Sequence, residues 1–159
     1  MRRAVLVGLV VIIGVALLIG LHPISPARTL DDYEHKAKDT AESVLSSIET
    51  ARLAARVGTH GDAFGPYVSV VLSESDDAVT KAQGVFDSVQ PPDRHADAIR
   101  GRLGTLLDRA SNAVARLRIS ARRGELDRLE RQARPLERLA TRLQRFIEDP
   151  GRAGKVAAL

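Results

Sequence analysis

Four stretches of this chain repeat apolar residues three and four positions apart, and that spacing constrains the fold more than any other feature. The first offers Leu30, Tyr33, Ala37, Ala41, Val44, Ile48, Ala51 and Ala55. The second offers Val68, Val71, Leu72, Ser75, Val79, Ala82, Val85, Phe86 and Val89. The third runs through Ile99, Leu103, Leu106, Ala110, Ala113, Leu117 and Ala121, and the fourth through Leu126, Leu129, Ala133, Leu136, Leu139, Leu143 and Ile147. Each set lines one face of an α-helix, while the alternation of period two that marks strands is absent. Glycine and proline separate the stretches, at Gly58 to Pro66, at Pro91-Pro92, at Gly124 and at Asp149-Pro150-Gly151. The pattern predicts an all-α body over residues 28–149, an antiparallel up-down-up-down four-helix bundle, with a flexible tail at 150–159. A competing reading joins the third and fourth stretches through Gly124 into one long helix of a dimeric coiled coil.

Local chemistry supports the boundaries. Thr29 followed by Asp32 is a capping-box pattern, and Asp93 is placed to cap the third helix. Pro66 suits a first helical turn, and Gly124 suits the left-handed residue that ends a helix. Pro135 falls inside the fourth helix and crowds the carbonyl of Arg131, so a kink is expected there.

Ahead of this body, Arg2 and Arg3 precede eighteen uncharged residues, Ala4 to Leu21. At about 1.5 Å per residue the run reaches roughly 27 Å, the thickness of a bilayer's hydrocarbon core. Residues 1–27 therefore read as a signal-anchor transmembrane helix in the cell membrane. Positive charge before the span puts the amino terminus in the cytoplasm and the body outside it. The alternative is cleavage near Ala27 at the small-residue pattern Ser25-Pro26-Ala27 and secretion of the body.

Charge is split between the halves of the body. Residues 30–93 carry five Lys and Arg against twelve Asp and Glu, net minus seven. Residues 94–145 carry fourteen against six, net plus eight. One reading is mutual neutralisation across the bundle, which would fix helix neighbours. The other is that an arginine-rich face, with Arg116, Arg123, Arg131 and Arg138 at its centre, meets an anionic partner such as an envelope protein, an anionic envelope polymer or lipid headgroups. Nucleic acid is not expected, because the segment lacks the interleaved aromatic residues that stack on bases.

Catalytic patterns are missing from the sequence. The four histidines fall at positions 22, 35, 60 and 95 with no helical pairing, and there is no cysteine, so neither a metal site nor a cofactor is expected. His60 and Asp62, in the glycine-rich break, are the remaining polar pair that a partner would meet. Glu74, Asp76 and Asp77 form an acidic cluster that reads as a solvated face.

The stretches SSIETARLAAR, FDSVQPPD and LLDRASNAVARLRISARRGELDRL resemble membrane-anchored, exported helical proteins of actinobacteria that have no assigned function. The resemblance covers most of residues 40–147 and implies an exported helical module without a catalytic residue to carry over. The reading as a whole is of a non-enzymatic, membrane-anchored accessory or scaffold protein of the cell envelope that acts by binding, with a homo-oligomer compatible. The alternative is a ligand-sensing helical domain that works with a separate signalling partner, for which a polar cavity between the helices would be the sign.

Overall fold

The computed structural model of the protein describes residues 29–61 and 64–151. The expected membrane segment, Asp62 and residues 152–159 of the tail lie outside that range. The described residues form four helices: α1 (Leu30–Thr59), α2 (Gly65–Asp87), α3 (Arg94–Arg122) and α4 (Leu129–Glu148), with one 3-10 turn at Leu126–Arg128 before α4. There is no strand among them, and no described helix is long and apolar enough to cross a membrane.

Each helix begins and ends where local chemistry directs it. The Thr29 hydroxyl accepts from the Asp32 amide at 3.1 Å, and Asp93 Oδ1 accepts from the Ala96 amide at 2.8 Å. These bonds satisfy amides that have no partner within a first helical turn. Pro66 stands in the first turn of α2. Gly124, at φ 72°, closes α3: its amide bonds to Ala121 O at 3.0 Å, and the Glu125 amide bonds to Ser120 O at 3.0 Å. That pair of bonds is a Schellman turn, and it overturns the continuous α3–α4 helix that the sequence left open. Helix α4 runs through Pro135 without interruption, with the proline on the exposed side.

The helices surround one core in the order α1, α2, α3, α4 and back to α1, and α1 also reaches α3 across the middle. That central role follows from its small residues. Ala37, Ala41, Ala51, Ala54 and Ala55 are all buried, so the neighbouring backbones approach closely. The wider spaces take Leu72, Leu103, Leu107, Leu117, Leu136 and Leu143. One end is closed by Tyr33 and Phe86, whose ring centroids are 5.6 Å apart at 50°. At the same end Pro150 is buried and its carbonyl accepts from Arg102 Nη1 at 2.7 Å. The packed chain therefore continues past the residue 149 boundary expected from sequence. Val85, expected inside, is 46% exposed, because the face of α2 that meets the core runs through Val68, Leu72, Ser75, Val79 and Phe86 instead.

Candidate functional site

The basic half of the chain divides into arginines that hold the bundle and arginines that face water. Arg100 belongs to the first kind: its guanidinium donates to Asp87 O at 2.8 Å and Val89 O at 3.2 Å, closing the end of α2. Arg118 is another, with Nε 2.9 Å from Oδ2 of Asp76. Asp76 is 8% exposed, so the acidic cluster read as a solvated face is broken: its middle member is an internal ion-pair partner to α3. Arg102 stacks over the Phe146 ring at 5.4 Å while bonding to Pro150.

The remaining arginines are exposed. Arg109, Arg116, Arg123, Arg131, Arg134, Arg138, Arg142 and Arg145 make no side-chain hydrogen bond or ion pair among the described residues. Neutralisation across the bundle is therefore limited to a few contacts. Between the two halves, among the described residues, these are Arg118 with Asp76 and Arg52 with Glu137 at 3.7 Å, beside a contact of His95 Nε2 with Glu34 Oε1 at 3.7 Å. The Arg52 pair even runs against the expected sense, its base on α1 and its acid on α4.

Helix geometry gathers most of the exposed arginines on one side, in line with Arg102; Arg122, four residues after Arg118, falls on the α2 flank of α3 instead. Residues seven apart share a helix face, so Arg102, Arg109, Arg116 and Arg123 form a file along α3. Arg131, Arg138 and Arg145 form a second file along α4. Arg102 over Phe146 fixes the side of α3 that borders α4, and it also fixes their antiparallel register. Stepping seven residues along two antiparallel helices from that contact keeps the files side by side, with Arg145, Arg138 and Arg131 running opposite to Arg102, Arg109 and Arg116. Successive arginines in a file are about 10 Å apart.

Between the files lies a shallow groove lined by Ala98, Gly101, Thr105, Leu106 and Arg142. The acids of α4 avoid this face. Glu137 marks the α1 side through its contact with Arg52, and Glu130 lies seven residues before it on the same flank. Asp108 of α3 accepts from Gln83 of α2 at 2.7 Å and so sits on the α2 side.

His60 is exposed, and its Nδ1 lies 2.8 Å from Arg56 O at the end of its own helix. Its expected companion Asp62 is outside the described residues. Sequence reasoning missed the two side chains that follow this break: Phe64 is 78% exposed and Tyr67 60% exposed. Their signal was present, since they are two of only five aromatic residues and flank a helix-starting proline. No group of three or more His, Asp or Glu able to hold a metal occurs among the described residues.

Fold and face together define a class, an antiparallel four-helix bundle with an arginine-lined side. The chain matches no protein-family model, no curated protein and no solved structure.

Proposed function

We propose that this protein is a binding module that holds an anionic partner along the α3–α4 face. It does so outside the cytoplasm, on a body tethered by a membrane span within residues 1–27. The observation that carries this reading is the pair of arginine files. Like charges repeated along a helix pair weaken a fold by a few tenths of a kcal/mol each, and here no acid on that face offsets them. Such an arrangement is unneeded for folding and suits a polyanionic surface, which it would attract at long range and hold by bidentate contacts. Arg116, Arg123, Arg131 and Arg138 are its centre. The actinobacterial exported proteins that the sequence resembles fit an envelope accessory or scaffold role of this kind.

The test is binding of the full-length protein, in detergent, to immobilised long-chain polyphosphate as a defined polyanion over a series of salt concentrations. Wild-type binding should weaken steeply with salt. The combined replacement Arg116→Glu, Arg123→Glu and Arg131→Glu should leave helicity and melting unchanged and reduce binding at least tenfold. Equal binding by the variant, or a collapsed melting transition, would sink the proposal.

A further inference from the structure

We infer that the anionic partner of the arginine face is the surface of the bilayer that holds the chain, on which the bundle lies with α3–α4 against the headgroups and its long axis along the membrane. This rests on the proposed function, since it names the partner of the same face. The sign of the charge singles out that side of the body. The opposite side, α1–α2, is mixed: Lys36 and Lys81 stand there among Asp32, Asp39 and Glu74. Along α3–α4 the exposed Arg109, Arg116, Arg131 and Arg138 have no acid between their two files.

Shape and reach point to a surface instead of a single strand. A cleft for one strand needs walls, whereas the seam between the files is shallow and lined by Ala98, Gly101, Thr105 and Leu106. A sheet of anionic headgroups meets both files at once, and a guanidinium takes a phosphate by a bidentate contact. Residues 22–28 separate the expected span from the bundle. Extended, they reach about 23 Å, more than the roughly 20 Å across two helix layers, so any side of the bundle can turn to the membrane. The sequence also places Arg28 just before the bundle, and Arg152 and Lys155 just after it, next to the end where the chain enters and leaves.

Length decides the attitude of the body. Helix α1 has 30 residues, so the bundle is about 45 Å long. Upright, it would hold Arg123 and Arg131, at the Gly124 end, about 40 Å from the bilayer, several Debye lengths at physiological salt. Lying down, it brings both files to the headgroups along their whole length. The short tether holds the face at an effective concentration in the millimolar range, so contacts too weak to recruit a free protein suffice. A soluble polymer gains nothing from that tether. In this attitude α1–α2, with the exposed rings of Phe64 and Tyr67, is turned away from the membrane.

The chain has no cysteine, so single introduced thiols can report its attitude. Asn112 is exposed seven residues after Thr105 of the seam, and Ser46 is exposed on α1, across the core from α3. Both stand at similar heights in helices that start at one end of the bundle. Asn112→Cys and Ser46→Cys are each labelled with a donor fluorophore in the full-length chain. Both are reconstituted into phosphatidylcholine vesicles with or without phosphatidylglycerol, carrying a trace of headgroup-labelled acceptor lipid. In the anionic vesicles the Asn112→Cys probe should transfer energy about twofold better, because the Ser46→Cys probe is held about 20 Å further away by the width of the bundle. In neutral vesicles, or as salt rises from about 0.05 to 0.5 M, the two probes should become alike. Adding Arg109→Gln, Arg116→Gln and Arg138→Gln should abolish the difference, and lysine at those three positions should keep it. Equal transfer from both probes in anionic vesicles would overturn the inference, as would a difference that neutral vesicles retain. Polyphosphate binding by the same labelled chains reports separately on the proposed function: a chain that binds the polymer but shows equal transfer loses only the bilayer as partner.

Discussion

The hydroxyl of Thr59, the last residue of α1, accepts the backbone amide of Glu130 in the first turn of α4 at 3.2 Å. The same oxygen lies 2.9 Å from Ala55 O and 3.1 Å from Leu126 O, so one side chain joins three segments at the α1–α4 end. The turn before α4 has no capping side chain of its own. Thr59→Val, nearly equal in shape, should therefore destabilise the protein by about 1 kcal/mol, the worth of a helix cap, and lower the melting temperature by several degrees. Thr59→Ser should keep most of the stability. Thermal melts followed by circular dichroism would check both.

Asp76 and Arg118 join α2 to α3 across a boundary where the carboxylate is nearly shut off from water. Asp76→Ala leaves the guanidinium without its partner, and Arg118→Ala leaves the carboxylate in the worse position. With the arginine side chain 31% exposed, the cost of either should be about 1–2 kcal/mol, less than for a fully buried pair. Replacing both together should cost less than the sum of the single changes, which a double-mutant cycle in urea would measure.

Tyr33 is fully buried, and its hydroxyl has no hydrogen-bond partner among the described residues. Burial raises its pKa above the ordinary 10.0; the positive charge of Arg100 opposes this, and Asp97 and Asp87 add to it. The folded protein therefore holds the phenolic proton where the unfolded chain has begun to release it. Stability is unaffected by this group below pH 10 and falls as pH rises above it. Tyr33→Phe removes an unsatisfied polar atom and should leave stability at neutral pH unchanged or raise it by up to about 1 kcal/mol. It should also flatten the alkaline loss, as read from denaturant midpoints at pH 9 and 11.

Gly124 and Gly84 offer a paired test of backbone conformation. Added Cβ atoms at both would meet open space, so packing drops out of the comparison. Gly124 has φ 72° whereas Gly84 lies within α2. Gly124→Ala should cost about 1–2 kcal/mol, and Gly84→Ala should stabilise by about 0.5–1 kcal/mol. Opposite shifts in melting temperature are the expected result.

Much of the fold was legible because apolar spacing and punctuation act over short distances. Tyr33 through Ala55 of α1 are buried as the spacing indicates, and the caps at Thr29, Asp93 and Gly124 form as their residue types require. Leu107 and Val114 of α3, and Ala140 and Phe146 of α4, were missed. A single narrow stripe was assumed for helices that each bury a wide one; α3 in particular touches α2, α4 and, across the core, α1. Val85 was misplaced for the related reason that its flank of α2 looks outward. The site was legible only as a list of arginines. Whether Arg116 and Arg131 flank the same seam depends on the antiparallel register of α3 and α4. That register follows from a turn at Gly124 and a contact between residues 44 apart, Arg102 and Phe146. Asp76 could not be told from Glu74 and Asp77 by residue type, because only packing separates them.

The described chain enters the bundle at Thr29 and leaves it at Gly151, and these two points lie at the same end. A Cβ on Gly151 would meet His95 Nε2 at 3.2 Å and Glu34 Oε1 at 3.5 Å. Mechanically, the bundle is therefore a pendant and not a link. Tension between the segments on either side balances at that end, and the opposite tip, where Gly58 meets Leu129, carries no load until α1 and α4 have peeled apart turn by turn. Peeling breaks a few contacts at a time, so the molecule yields to such a pull at low force, and pulling from the two opposite ends of α1 would meet far greater resistance.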